Sequence, residues 1–259
     1  MRPSGHDRIV LRGAALAWTM PAKAKLVDVS RRLTQDLGLE FPPIQISFLE
    51  SPPSGLSEHA GKVPSWCTFW AEARAEAFYV SLGGHSDCEI GAYVLGIPLV
   101  GATGEKLGKT LAWMQQEGYL VKGEEADIPQ LRAPFRYVAY GPLGQVPAPP
   151  SVVVIFANPA STMVALEAHQ PGMAHPFGVP VTGRPACAVI PTVLQGEAPV
   201  AMSLGCSGFR TYVEPGKDKM LLAVRGDYLV RFAEAVHRMK AANDAVQGEM
   251  ERRKSAASC

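Results

Sequence analysis

The sequence predicts a mixed α/β (α+β) fold, a single compact domain built from two degenerate halves related by a pseudo-twofold axis. Strand-like and helix-like segments follow one another in mixed order, without the regular alternation of a doubly wound parallel sheet. The 259 residues, of which 47% are apolar and 19% charged, are enough to bury a substantial core. A loose series of motifs also occurs twice along the chain, which predicts an internal duplication.

The first half begins with a helix and continues with a strand. Apolar residues recur at helical spacing from Leu26 to Leu37 and predict an amphipathic helix from Met20 to about Gly38. A proline pair then introduces residues 44–49, which alternate like a strand. After a turn come four features in order: Cys67, the apolar segment 77–80, the tetrad Ser81-Leu82-Gly83-Gly84, and Cys88.

The second half repeats this order. A proline pair introduces the apolar run 152–156, and the same later features follow: Cys187, the apolar segment 200–202, and the tetrad Ser203-Leu204-Gly205-Cys206. The repetition predicts that half 1 spans about 40–120 and half 2 about 148–225. A duplication of this kind would bring equivalent turns, and the cysteines on them, together about the twofold axis.

Hydrophobic periodicity and the positions of glycine and proline predict the remaining helices and strands and the limits of the domain. Helices are expected at 101–117, 159–169 and 226–247, and strands at 137–140 and 220–224. The domain is therefore predicted to span 21–247. Residues 1–20 form an N-terminal extension that need not be ordered, and 248–259 form a tail.

Composition excludes several classes of protein. With 25 basic and 24 acidic residues and no long charged block, the chain is not expected to bind nucleic acid. No run of about 18 apolar residues predicts a membrane span, and five cysteines are too few for a disulfide scaffold. No glycine motif predicts a phosphate-binding loop. We expect a cytoplasmic protein that binds a small-molecule substrate, and a homo-oligomer stays open.

Four of the five cysteines lie inside the predicted domain, and their contexts differ. Cys88 and Cys206 lie in glycine-rich turns, and Cys67 lies at an element boundary. Turns suit metal ligands because backbone N–H groups there can donate to sulfur. Cys187, among alanines and β-branched residues, is typical of a core residue, as buried free cysteines often are. The sequence therefore predicts three ligands, with Cys187 as a candidate fourth.

The spacing favours iron–sulfur over zinc, because structural zinc usually uses paired CxxC knuckles and none occurs here. Thiolates that hold a [4Fe–4S] cluster can be scattered in sequence. Three of them leave one iron open as a Lewis acid, which predicts hydration, dehydration or hydrolytic removal of a substituent by a lyase or hydrolase. Four of them favour an electron-transfer protein or a redox sensor. Zinc stays an alternative, as does a metal-free enzyme with Cys206 as nucleophile.

Polar residues flank the two cysteine turns and are candidate catalytic residues. His85 precedes Cys88 and could act as a general acid or base. Arg210 and Tyr212 follow Cys206, and Arg210 could hold a substrate carboxylate in a bidentate fork.

Several of these motifs resemble a known family. The first half contains Pro42-Pro43-Ile44-Gln45-Ile46, Cys67, and Cys88-Glu89-Ile90-Gly91, and the second contains Ser203-Leu204-Gly205-Cys206-Ser207-Gly208-Phe209-Arg210. Together they resemble the DUF169 family of uncharacterised prokaryotic proteins, over roughly residues 20–247. The resemblance implies one domain over nearly the whole chain and implies no particular reaction.

Overall fold

The structure is a computed structural model that describes residues 20–132, 134–170 and 178–257. The predicted extension up to residue 19 and the terminal Cys259 lie outside the described residues.

The described part of the chain contains eight α-helices and seven strands. The helices are α1 (Met20–Asp36), α2 (Thr68–Glu72), α3 (Glu89–Val94), α4 (Gly101–Gln116), α5 (Pro159–His169), α6 (Val189–Gln195), α7 (Ser207–Tyr212) and α8 (Leu229–Ala257). The strands are β1 (Ile44–Leu49), β2 (Phe78–Ser81), β3 (Tyr137–Pro142), β4 (Val152–Ala157), β5 (Val181–Thr182), β6 (Val200–Ser203) and β7 (Met220–Arg225).

All seven strands belong to one mixed sheet with the order β2-β3-β1-β4-β7-β6-β5. Neighbouring strands are antiparallel, except that β5 runs parallel to β6. The predicted mixed α/β class and single compact domain are therefore confirmed. From the central pair β1 and β4, the order runs outward through β3 and β2 on one side and β7 and β6 on the other. This is the order a duplication would produce, and the pseudo-twofold symmetry itself stays a prediction.

Both faces of the sheet are covered, which explains why every residue of β4 is buried. On one face, α1, α5 and α8 pack against side chains that include Val153 and Ile155. On the other face, α2, α3, α6 and α7 enclose a core that includes Val152 and Val154. Cys67 and Cys187 belong to this second core, and Cys88 and Cys206 pack against it. The fold therefore places all four internal cysteines on the same side of the sheet.

The C-terminal helix is longer than the sequence pattern predicts. Instead of ending at Gln247, α8 continues to Ala257, so most of the predicted tail is helical. The last turns carry exposed charged side chains that pair at i,i+3 and i,i+4 spacing, Arg252 and Arg253 both with Glu249. Such pairs extend a helix without an apolar face, so apolar periodicity does not reveal the extension. None of the described helices is both long enough and apolar enough to cross a bilayer.

Candidate functional site

All four internal cysteines line one cavity of about 810 Å³. It lies on the face of the sheet that α2, α3, α6 and α7 cover. They come from four separate chain segments, and each lies at or next to the start of a short helix. Cys67 precedes α2 and Cys88 precedes α3, whereas Cys206 precedes α7 and Cys187 lies in a 3₁₀ turn before α6. The structure thus brings together the three predicted ligands and also Cys187.

Cys88 and Cys206 are N-cap residues with matching local geometry. The Cys88 Sγ accepts a hydrogen bond from the Gly91 N–H at 3.2 Å, and the Cys206 Sγ accepts one from the Phe209 N–H at 3.4 Å. The N-terminal N–H groups of a helix have no intrahelical acceptor, so a sulfur at the N-cap satisfies one of them. These bonds orient both sulfurs.

Cys67 and Cys187 are more deeply buried than the other two cysteines. The Cys67 Sγ lies 2.7 Å from the Ser65 hydroxyl, which also lines the cavity. Cys187 is flanked by the buried Ala186 and Ala188. A residue with core-like neighbours can still turn its sulfur towards a cavity, and Cys187 is such a residue.

Burial controls the ionisation of three of these thiols. The pKa of Cys67 is raised to about 12, mainly by desolvation; the Ser65 hydrogen bond opposes the rise, and the charges of Cys206 and Cys88 add to it. Desolvation also raises the pKa of Cys88, and it raises that of Cys187 well above its usual value. The charges of the other three cysteines add to the rise at Cys187. Burial therefore keeps the Cys67, Cys88 and Cys187 thiols protonated near neutral pH when no metal is bound.

The described part of the chain has no preformed site for a single metal ion. Within residues 20–132, 134–170 and 178–257, no three His, Cys, Asp or Glu side chains converge closely enough to bind one metal ion. Structural zinc needs such convergence. In a four-iron cluster each thiolate binds a different iron, so the sulfurs border a volume and do not meet at a point. In this structure the four cysteines line one cavity from four separate chain segments.

The outer wall of the cavity is formed by α4 and the segment that follows it. Leu111, Trp113, Met114 and Tyr119 line this wall, and no residue of α4 is buried. Glu89, from α3, also lines the cavity, but it is paired with Lys106 at 2.8 Å and accepts a hydrogen bond from Thr110. The cavity is therefore mostly apolar and aromatic beyond the cysteines, as small-molecule sites usually are.

The predicted polar partners of the cysteines lie in three different settings. Tyr212 lines the cavity and is 47% exposed. Arg210 does not line the cavity, and its guanidinium donates to the carbonyl oxygens of Leu204, Gly216 and Lys219. Arg210 thus fastens the Cys206 turn to the loop before β7.

His85 does not line the cavity either, and it is buried in the core with 1% exposure. Its Nδ1 lies 3.0 Å from the Ser81 carbonyl oxygen, which can only accept, so Nδ1 carries the proton. Its Nε2 therefore accepts from the Tyr140 hydroxyl at 2.7 Å, and that hydroxyl accepts from the Trp66 indole N–H at 2.7 Å. A closed chain of hydrogen bonds thus joins His85 to Trp66, a cavity-lining residue. Among the described residues both ring nitrogens of His85 are engaged in this core network, and its role as a general acid or base stays a prediction.

Comparison with known proteins gives one match. Residues 32–235 match the DUF169 family, which is described as "Uncharacterised ArCR". The chain belongs to the DUF169 family. No curated protein and no solved structure matches it. The resemblance predicted from the cysteine turns is therefore confirmed, and all four cavity cysteines of this DUF169 protein lie within the matched residues.

The buried His85 predicts an acid-sensitive stability for this DUF169 protein. Burial lowers its pKa from 6.5 to about 4, although hydrogen bonds to the backbone oppose the shift. Between pH 6.5 and 4, His85 binds a proton in the unfolded chain but stays neutral in the folded protein. The free energy of unfolding therefore decreases as the pH falls towards 4. The unfolding free energy is expected to fall by about 3 kcal/mol over this range through His85 alone. Chemical denaturation at several pH values measures it. His85→Gln should flatten the dependence; an unchanged slope in this variant contradicts the prediction.

Gly91 is expected to be irreplaceable because the Cys88 sulfur and the Trp66 side chain close around it. A Cβ at this position would lie 2.5 Å from the Trp66 Cβ and 2.9 Å from the Cys88 Sγ. Gly91→Ala should therefore displace Cys88 and destabilise the fold by about 1–3 kcal/mol. Thermal unfolding checks the cost, and Gly108→Ala is the matched control. A Cβ at Gly108, inside α4, would meet nothing within 4 Å, so that variant should gain up to about 1 kcal/mol. Equal stability of the two variants contradicts the prediction.

Several residues of the site escape prediction from the sequence. Gly91 carries a signal, since its i+3 spacing from Cys88 is that of an N-cap and its N–H donor. Ser65, Tyr119 and Arg184 carry none, because only the folded chain brings them to the cavity.

Proposed function

We propose that this protein is an iron–sulfur enzyme in which Cys67, Cys88 and Cys206 hold a [4Fe–4S] cluster beside a small organic substrate. The observation that carries the proposal is the single cavity of about 810 Å³ lined by every internal cysteine. Its volume lies within the roughly 300–1,000 Å³ typical of small-molecule sites, so the cavity has room for a ligand beside a cluster.

The chain prepares its thiolates for a metal centre. Backbone N–H groups donate to Cys88 and Cys206, and the Ser65 hydroxyl lies beside Cys67. Hydrogen bonds to the sulfurs and the degree of burial are the means by which a protein tunes an iron–sulfur centre. The thiols that burial keeps protonated without metal would release their protons on binding it, so cluster binding should strengthen as the pH rises.

A cluster held by three thiolates supplies an open iron that acts as a Lewis acid towards a hydroxyl or carboxylate group. The chain contributes the surroundings. Trp113 and Met114 of α4 line the cavity and offer apolar surface to a ligand. Tyr212 and Glu117 also line it, and both can exchange a proton with a ligand. Loss or addition of water, or hydrolytic removal of a substituent, needs a proton donor and a proton acceptor, and this pair supplies both.

A second candidate is a closed cluster with Cys187 as fourth ligand, which would serve electron transfer or redox sensing. The presence of Cys187 on the same cavity wall favours it. Either function suits the cytoplasm, where the four internal cysteines, all unpaired, stay reduced.

The proposal is tested by Cys187→Ala, purified without oxygen beside the unaltered protein. The enzyme proposal predicts that the variant keeps the visible absorption, iron and sulfide of the parent, because three ligands suffice. Loss of iron and sulfide from Cys187→Ala, with an unchanged far-UV circular dichroism spectrum, contradicts the open-site enzyme and favours the closed cluster.

A further inference from the structure

A second concave surface lies on the other side of Cys206. It is an open groove of about 630 Å³ whose walls come from the β5 region and from the turn before α7. Groove and cysteine cavity share five lining residues, which are Tyr119, Arg184, Cys206, Ser207 and Thr211. A ligand bound in the groove would therefore lie beside Cys206 and could extend into the cavity.

Arg184 is the available cation at this boundary. Its guanidinium stacks on the Tyr119 ring with 4.4 Å between the guanidinium carbon and the ring centroid. Among the described residues it has no hydrogen-bond acceptor and no carboxylate partner. Stacking fixes the plane of a guanidinium while leaving its N–H edge free for an acceptor. The Arg184 guanidinium is thus held in a fixed orientation, and its N–H groups have no hydrogen-bond acceptor among the described residues.

Arg210 contributes a second positive charge to the groove. Three of its N–H bonds are directed to backbone carbonyls, which holds the side chain in place. The nearby Asp218 carboxylate is paired with the Lys219 ammonium at 2.9 Å. Its negative charge is therefore shared between Lys219 and Arg210. No acidic side chain of the described chain lines the groove. Its surface is therefore positively charged.

The groove also has apolar edges. Val181 is 61% exposed and Leu204 is 56% exposed, and both line it. A fully hydrated inorganic anion gains nothing from such edges. An organic acid gains from both parts of the surface, because its carboxylate meets the arginines and its body covers the apolar side chains.

We propose that Arg184, supported by Arg210, forms a carboxylate subsite in this groove, and that the ligand is a small organic acid whose body reaches past Cys206 into the cysteine cavity. This inference rests on the proposed function and names the substrate class of that site. Arg184 donates two parallel N–H hydrogen bonds to the carboxylate in a bidentate fork, which glutamine cannot reproduce and lysine reproduces only in charge.

The test is calorimetric titration of the full-length protein with benzoate, benzamide and inorganic phosphate. Benzoate should bind at least about tenfold more tightly than benzamide, its uncharged isostere, and than phosphate. Arg184→Gln should weaken benzoate binding by at least about tenfold, and Arg184→Lys by less. Arg231→Gln is the matched control, since Arg231 is exposed and stacks over the Tyr228 ring at 5.6 Å. It should bind benzoate as the parent does.

The inference is overturned if benzoate does not bind, if benzamide or phosphate binds equally well, or if Arg184→Gln and Arg231→Gln have the same affinity. The titration is made on protein of measured iron and sulfide content, with and without cluster. If benzoate binds to a chain that never takes up iron, the carboxylate subsite is supported and the cluster is refuted. If the cluster binds but benzoate does not, the cluster is supported and the carboxylate subsite is refuted.

Discussion

Replacement of Cys88 by serine is expected to lower the iron and sulfide bound by the anaerobically purified protein by more than about tenfold. Loss of a group that merely supports a metal ligand already weakens binding by about 10–100-fold, and loss of a ligand should exceed that. A serine hydroxyl is not ionised near neutral pH and is a poor ligand for iron in such a cluster.

The substitution Cys88→Ser should remove a metal ligand with little effect on the stability of the fold. Cys88 caps α3 through the Gly91 N–H, and serine is a preferred residue at that position, so the helix keeps its cap. The variant should therefore unfold at nearly the parental temperature. Cys259→Ser, outside the described residues, is the control and should keep the full iron and sulfide content. If Cys88→Ser retained as much iron as Cys259→Ser, Cys88 would not be a ligand.

Tyr140→Phe is expected to destabilise the protein by about 2–5 kcal/mol. The Tyr140 hydroxyl accepts from the Trp66 indole and donates to His85, and all three residues are almost completely buried. Removing the hydroxyl leaves two buried polar groups without partners, and each costs about 1–3 kcal/mol. Because Trp66 borders the cysteine cavity, the loss should also loosen the site.

Denaturant unfolding measures this effect, and Tyr137→Phe is the matched control in the same strand. The Tyr137 side chain is half-buried, and its hydroxyl has no hydrogen-bond partner in the described part of the chain. Its replacement should change the free energy of unfolding by no more than about 0.5 kcal/mol. Equal effects of the two substitutions would show that the hydrogen-bonded chain from His85 to Trp66 contributes nothing measurable to stability.

Much of the fold could be predicted from the sequence because its longer elements follow simple periodicities. The strand at Ile44–Leu49 and the helix at Pro159–His169 have the predicted bounds. The helices that begin at the cysteines could not be predicted, since elements such as Glu89–Val94 and Ser207–Tyr212 span fewer than two turns. So short a segment shows no amphipathic period, and tertiary packing and the N-cap stabilise it.

The candidate site was predictable only in part. Glycine-rich turns distinguished Cys88 and Cys206, and both sulfurs do accept backbone N–H groups. Cys187 has the apolar neighbours of a core residue, and local sequence cannot reveal that it also borders a cavity. His85 illustrates the opposite problem. It is close to Cys88 in sequence, but the 3₁₀ turn at Leu82–His85 directs its ring into the core, towards Tyr140.

The most direct test of the central claim is an anaerobic absorption spectrum combined with iron and sulfide analysis of the full-length protein. It should be recorded beside the triple variant Cys67→Ser, Cys88→Ser, Cys206→Ser. We predict a brown protein with broad visible absorption and about four irons and four sulfides per chain, and a colourless triple variant. A parent protein that stays colourless, without stoichiometric iron and sulfide even after anaerobic reconstitution, would contradict the account.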